Sequence, residues 1–275
     1  MGTFFVQINL YLIKYIIVMG LLEIIRNIVS VGKKVDMKKL PSQGYFYPSD
    51  FYIRIKRATD EDVIDYEYNF NSENIIEVIE SVKKIVMKNT IFSGSYKFED
   101  LKSIDIVFLF LEIVKYTTDR SIKIEFFNDD LGKKDKINFD VNNFKYFNLK
   151  EFLKDYIPEE CSFLVDGYKF AMPSVGVENS LTQYLFSISN IEGSDKYNDY
   201  SYDFLFFLGK KNNLTFEEIE NLVTIFNFDI DDEEKKKIKS IIKKFIEIID
   251  YSLKVNNLLI DVKSRLDFEN IWRDQ

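Results

Sequence analysis

Apolar positions recur along the chain with two different periods, and the switches between them mark its elements. In DFYIRIKRAT (50–59), Phe51, Ile53 and Ile55 alternate with Tyr52, Arg54 and Lys56, the period-two signature of a half-buried strand. NSENIIEVIESVKKIVMKN (71–89) instead sets Ile75, Val78, Ile79, Val82, Ile85 and Val86 on one face. Ser72 stands there as N-cap and Glu73 in the first turn, so the stretch predicts an amphipathic helix. FEDLKSIDIVFLFLEIVKYTT (98–118) predicts a second helix, with Asp105 between Leu101 and Phe108 on its apolar side. An acid there is costly unless hydrogen-bonded, so Asp105 is expected to be a structural buried acid.

The middle of the chain changes period. SIKIEFF (121–127) and KINFDV (136–141) alternate around a loop containing Gly132, predicting a hairpin. A short helix is expected over NLKEFLKDY (148–156), ended by Pro158. CSFLVDG and YKFAMPSV follow as strands turning at Asp166-Gly167. Helical periods return at 177–190, 202–210, 215–226 and 232–250, the third opened by a Thr215/Glu218 capping box. YSLKVNNLLIDVKSRLDF (251–268) reads either as a hairpin turning at Asn256-Asn257 or as a continuation of the preceding helix. The expected class is α+β, with helices and short antiparallel hairpins interleaved and no internal repeat.

The N-terminal 36 residues read as a separate apolar, amphipathic extension. Lys14, Glu23 and Arg26 interrupt the apolar run and leave too few uncharged residues between them to cross a bilayer, so no membrane span is expected. Two alternatives stand: a helix that docks on a partner or the body, or a leader ahead of a start at Met37. Residues 37–275 are expected to form one α+β domain, with subdivision near 120 and 195 left open.

Composition narrows function chiefly by exclusion. The chain has 275 residues, net charge −8, 45 Asp and Glu against 37 Lys and Arg, no His and 1 Cys. Without histidine, neither a Ser-His-Asp nor a Cys-His nucleophile can form, and a zinc site of Cys and His ligands is equally closed. No phosphate-binding glycine loop, dinucleotide fingerprint or EF-hand spacing is present. Acid pairs such as Asp129/Asp130 and Asp231/Asp232 read as surface charge, so carboxylate-plus-magnesium catalysis is only a formal option. No enzyme, no cofactor and no metal are therefore expected. The lysines of EEKKKIKSIIKK (233–244) are balanced by DIDDEE just before them, so nucleic acid is not an expected partner.

MKKLPSQGYFYP (37–48) is the densest motif. It holds two of the chain's 4 Pro, and Pro41 drives Leu40 into extended conformation while Gly44 frees the backbone. The result is a stiff arm presenting Tyr45, Phe46 and Tyr47. That arm either docks on a partner through Leu40, Pro41, Ser42, Gly44, Tyr45, Phe46 and Tyr47, or packs on its own domain.

Leu40-Pro41-Ser42-x-Gly44 with Tyr47, then Ile53–Ile55 and the acidic Thr59–Asp62, resembles the opening of the small baseplate-hub family of contractile-tailed T-even-type bacteriophages. Asp105 matches an acid on a following helix of that family. The resemblance spans residues 37–120. The extra residues in front depart from it, as does the absence of the paired cysteines of some members. It implies a non-enzymatic tail baseplate protein, either a hub subunit or a chaperone of hub assembly. Its partners would then be other baseplate or hub proteins, with self-association within the hub. It would reside in the virion tail baseplate, or in the host cytoplasm during assembly. The alternative from another class is an acidic phage regulator that binds and inhibits a host protein.

Overall fold

The computed structural model describes residues 32–70, 75–128, 132–138, 144–145, 154–188, 214–225, 229–249, 252–255, 258–261, 266–267 and 272. Within them the fold is α+β, with six α-helices interleaved with four three-stranded antiparallel sheets.

The alternating stretch at 50–59 becomes the centre of the first sheet. β1 (Lys33–Lys34), β2 (Ile53–Ile55) and β3 (Thr90–Phe92) pair in that order. Ile53 and Ile55 are fully buried, whereas Tyr52 faces outward. Because β1 pairs with β2 and Val35 joins the core, the folded body begins ahead of Met37. Gly32 opens that strand at φ +39, and an added Cβ would lie 2.5 Å from the Ile55 carbonyl oxygen, so only glycine suits the close approach. The remainder of the N-terminal extension lies outside the described residues.

Helix α1 (Asp60–Phe70) follows, a helix that apolar period alone did not predict. Its start is nonetheless encoded: the Thr59 N–H donates to Asp62 Oδ2 (3.1 Å) and the Asp62 N–H to Thr59 Oγ1 (3.2 Å), a reciprocal cap. Helix α2 (Ile75–Asn89) buries Val82, Ile85 and Val86 as expected. Ile79 departs from the expected face and stays 49 % exposed. The expected Ser72 cap lies outside the described residues. α1 and α2 are joined by Lys88 to Asp62 (2.8 Å) and Lys84 to Asp65 (2.9 Å).

The segment at 98–118 is not one continuous helix. Phe98–Asp100 and Ser103–Asp105 form two 3-10 turns, and α3 begins only at Ile106, running to Thr118. Backbone groups of the break bond outside the helix: Ser103 N–H donates to the Pro173 carbonyl (3.1 Å) and Val175 N–H to the Leu101 carbonyl (2.8 Å). α3 then supplies the centre of the core, with Phe108, Leu109, Phe110, Leu111, Ile113 and Val114 at 1 % exposure or less.

Further on come β4 (Lys123–Asn128), β5 (Lys133–Asn138), β6 (Phe144–Lys145), β7 (Tyr156–Ile157), β8 (Ser162–Val165) and β9 (Tyr168–Phe170). β4 and β5 form the hairpin expected around Gly132. Residues 148–153 of the expected short helix lie outside the described residues; Tyr156 is in a strand, and Pro158 opens a 3-10 turn rather than ending a helix. β8 and β9 turn at Asp166 (φ 51) and Gly167 (φ 85), both left-handed, the backbone of a two-residue type I′ hairpin.

Helices α4 (Val175–Ile188), α5 (Phe216–Thr224) and α6 (Asp232–Ile249) complete the helical part. Thr215 Oγ1 and Glu218 form the expected capping box of α5. The expected helix at 202–210 lies outside the described residues. β10 (Ser252–Val255) and β11 (Leu258–Asp261) pair as a hairpin, so α6 does not continue through them. β10 also pairs with β6, and β12 (Leu266–Asp267) with β4. Trp272 sets its ring edge-on against Tyr66 of α1 and Phe110 of α3.

Candidate functional site

The arm at 37–48 folds as a chain of turns. Asp36 caps the first, its Oδ1 accepting from the Lys38 N–H at 3.1 Å. Leu40 is extended (φ −65, ψ 150), the conformation Pro41 demands of its predecessor. Gln43 (φ 53) and Gly44 (φ 76) are both left-handed, and the Tyr45 N–H donates to the Ser42 carbonyl at 3.2 Å. These turns roll Leu40, Phe46 and Tyr47 to the same side, into the body.

They close on Asp105. The Ser42 N–H donates to its Oδ1 at 2.9 Å, and the Tyr47 hydroxyl donates to Oδ2 at 2.7 Å. The Tyr47 oxygen in turn accepts the Lys102 N–H at 2.8 Å. Asp105 occupies the N-cap position of α3, yet its carboxylate makes no capping bond. It is turned away from its own helix toward the arm. The Tyr47 ring stacks on Phe51 at 4.3 Å with the planes 9° apart, and Phe46 packs on Phe163.

Electrostatics follow from burial. Asp105 is 0 % exposed, and burial pushes its carboxyl up to about 6 against the opposing pull of the Ser42 and Tyr47 donors and of Lys102. Burial and the adjacent carboxylate raise the Tyr47 hydroxyl well above its ordinary value. Lys102 is buried as well and drops to about 8, its charged form held by Cys161, Asp100 and Asp105. The Cys161 thiol is raised by burial, partly offset by Lys102 and Tyr156.

Such shifts often accompany catalysis, but here Asp105, Tyr47 and Lys102 are buried inside the body. The open cleft of about 460 Å³ between α1, α2, the Phe98–Asp100 turn and α4 contains none of them; Met87, Phe98 and Glu80 are among its walls. Among the described residues, no group of three or more His, Cys, Asp and Glu side chains could hold a metal ion. What this arrangement can do is hold a loop. A buried carboxylate with two donors from the arm ties residues 42–47 to the start of α3, and each lost partner would leave an unsatisfied group at a cost of about 1–3 kcal/mol.

The expected interface residues therefore need correction. Leu40, Pro41, Ser42, Phe46 and Tyr47 are buried in the chain's own core, and a buried side chain offers no surface to a partner. Gly44 and Tyr45 are half-buried, Tyr45 lying edge-on to Tyr156 at 6.2 Å. Asp105 sits as the buried acid on which the arm closes. The sequence reading missed Lys102, Tyr156 and Cys161, which come together through the β7–β8 region. Only the placement of Lys102 three residues before Asp105 hinted at it.

No protein-family model, no curated protein and no solved structure matches this chain.

Proposed function

We propose that this chain is a non-enzymatic component of a phage tail baseplate, a hub subunit or an assembly factor for the hub, acting through protein–protein contacts. The observation that carries the reading is a convergence. Leu40, Pro41, Ser42, Gly44 and Tyr47, the residues of the hub-like motif, lie in one run of turns that closes on Asp105, the acid that the same resemblance singles out some 60 positions later. A motif of this kind is a folding signature, and the contacts with other proteins fall to the exposed surface instead. The Asp105 carboxylate and the Tyr47 hydroxyl, buried and hydrogen-bonded to each other, support a non-catalytic role.

Two measurements test the reading. Proteomics of purified phage particles, compared with infected-cell lysate, separates a virion subunit from an assembly factor. Affinity capture of the tagged chain from infected cells, with cross-linking, identifies its neighbours. Recovery of tail and hub proteins is expected; recovery of host enzymes alone would sink the baseplate reading and favour the inhibitor of a host protein.

A further inference from the structure

We infer that the outer face of the first sheet is a docking surface for a second copy of this chain, which offers the outer face of α1. Cross-strand register puts Lys34 opposite Arg54, and Arg54 opposite Ile91. Directly opposed residues share a face, and period two adds Tyr52 and Lys56 to it. The inner face is the buried one, with Ile53 and Ile55 fully covered. The outer face thus carries three cations and two apolar side chains, with Tyr52 38 % and Ile91 36 % exposed. Lys34 Nζ and Arg54 Cζ both approach the Tyr52 ring, at 5.2 Å and 5.9 Å from its centroid.

Two features point to a partner for this face. Like charges placed directly opposite each other weaken a sheet, and Lys34 and Arg54 are so placed. The chain as a whole is also acidic, at net charge −8. A concentrated basic and aromatic face in such a protein suits an acidic partner with apolar anchors.

The outer face of α1 has that chemistry. Asp60 and Glu61 are exposed in its first turn, and Ile64 and Tyr68 stand one turn apart at 66 % and 82 % exposure. Their spacing of four residues puts both anchors on one side of the helix. Acids against Lys34, Arg54 and Lys56, with Ile64 and Tyr68 against Tyr52 and Ile91, complement each other in both charge and apolarity. Because two different patches meet, the contact is head-to-tail, and repeated copies would close into a ring or extend as a filament. This inference goes beyond the baseplate reading and does not need it, since purified chain alone provides the test.

The experiment is sedimentation velocity of the full chain with two charge-reversed variants, Lys34→Glu/Lys56→Glu and Asp60→Lys/Glu61→Lys. Wild type should self-associate below roughly 100 µM, and raising salt from about 50 to about 500 mM should weaken association by about tenfold. Each variant alone should stay monomeric. Mixing the two should restore a complex, because the reversed sheet face of one matches the reversed helix of the other. Ile64→Ala/Tyr68→Ala, with both side chains in solvent, should also lose association while keeping the wild-type melting temperature. A monomeric wild type at roughly 100 µM overturns the inference, as does association that survives both reversals. A monomer that instead binds an oligonucleotide through Lys34 and Lys56 would assign the face to nucleic acid and overturn it equally.

Discussion

Tyr47→Phe isolates the bond between the arm and α3. The substitution deletes one oxygen and keeps the ring, so the stack on Phe51 at 4.3 Å survives and no cavity larger than a hydroxyl opens. Two interactions vanish. The first is the 2.7 Å bond donated to the Asp105 carboxylate, and the second is the 2.8 Å bond accepted from the Lys102 N–H. A hydrogen bond to a charged group contributes about 1.5–3 kcal/mol, and a buried N–H left without an acceptor costs about 1–3 kcal/mol. The two overlap, because the same relaxation eases both, so the expected loss is about 3 kcal/mol. That is a large fraction of the roughly 5–15 kcal/mol that holds a folded chain together. Urea unfolding monitored by the fluorescence of Trp272, the chain's 1 tryptophan, reads it directly, since that ring packs on Tyr66 and Phe110. Tyr45→Phe is the matched control, expected to change stability by less than about 0.5 kcal/mol because Tyr45 is half-buried and contacts its neighbours through its ring. A Tyr47→Phe loss as small as that of the control would refute the view that this hydroxyl holds the acid.

Asp105 also makes stability depend on pH. Its folded carboxyl titrates at about 6, above its unfolded value near 4, so the folded state takes up a proton first as pH falls. Stability should therefore rise by about 1.4 kcal/mol from pH 7.5 to pH 5, and Asp105→Asn should remove that increment in paired urea titrations at the two pH values. Asp62 runs the other way. Burial would raise it, but Lys88, Thr59 and Asn89 together bring it down to about 2, so its contribution is present above about pH 4 and is lost as pH falls through 2. Asp62→Asn should cost about 2 kcal/mol at neutral pH and little at pH 2, read as the shift in unfolding midpoint. Gly44→Ala should cost about 1–2 kcal/mol in the same assay, because the position is left-handed (φ 76) and the new Cβ would press on Met37 Cβ at 3.3 Å.

Local chemistry was legible where a side chain answers to its own neighbours in sequence. The Asp166-Gly167 turn, the Thr215/Glu218 cap and the strand around Ile53 all depend on residues within a few positions. Pro41 and Gly44 likewise dictated the backbone of the arm. Helix α1 escaped because its polar residues mask any apolar period and its cap uses Asp62 where Glu or Gln is the usual sign. The break at 98–105 was invisible for a different reason. Its backbone groups bond to Tyr47 and Pro173, far away in sequence, and long-range partners override local helical period. The fate of the arm was open for the same cause: aromatic residues suit a core and an interface equally, and only the position of Asp105, 58 residues from Tyr47, decides between them. The charge arrangement on the outer sheet face depended on strand register, which spans β1, β2 and β3 and has no local signature.

The strand order of the C-terminal sheets bears on how the chain is made. β4 acquires its second neighbour, β12, only when residues 266–267 have been synthesised, and β6 gains β10 only after residue 252. A ribosome therefore releases more than a hundred residues between the first strand of each sheet and the strand that joins it last. Throughout that interval β4 carries an unpaired edge, the kind of surface on which nascent chains pair with one another. Closing such distant contacts is slow, so the final segment acts as a late-arriving seal. A chain stopped before Ser252 would keep those edges permanently open, and its defect would show as loss to aggregates during synthesis.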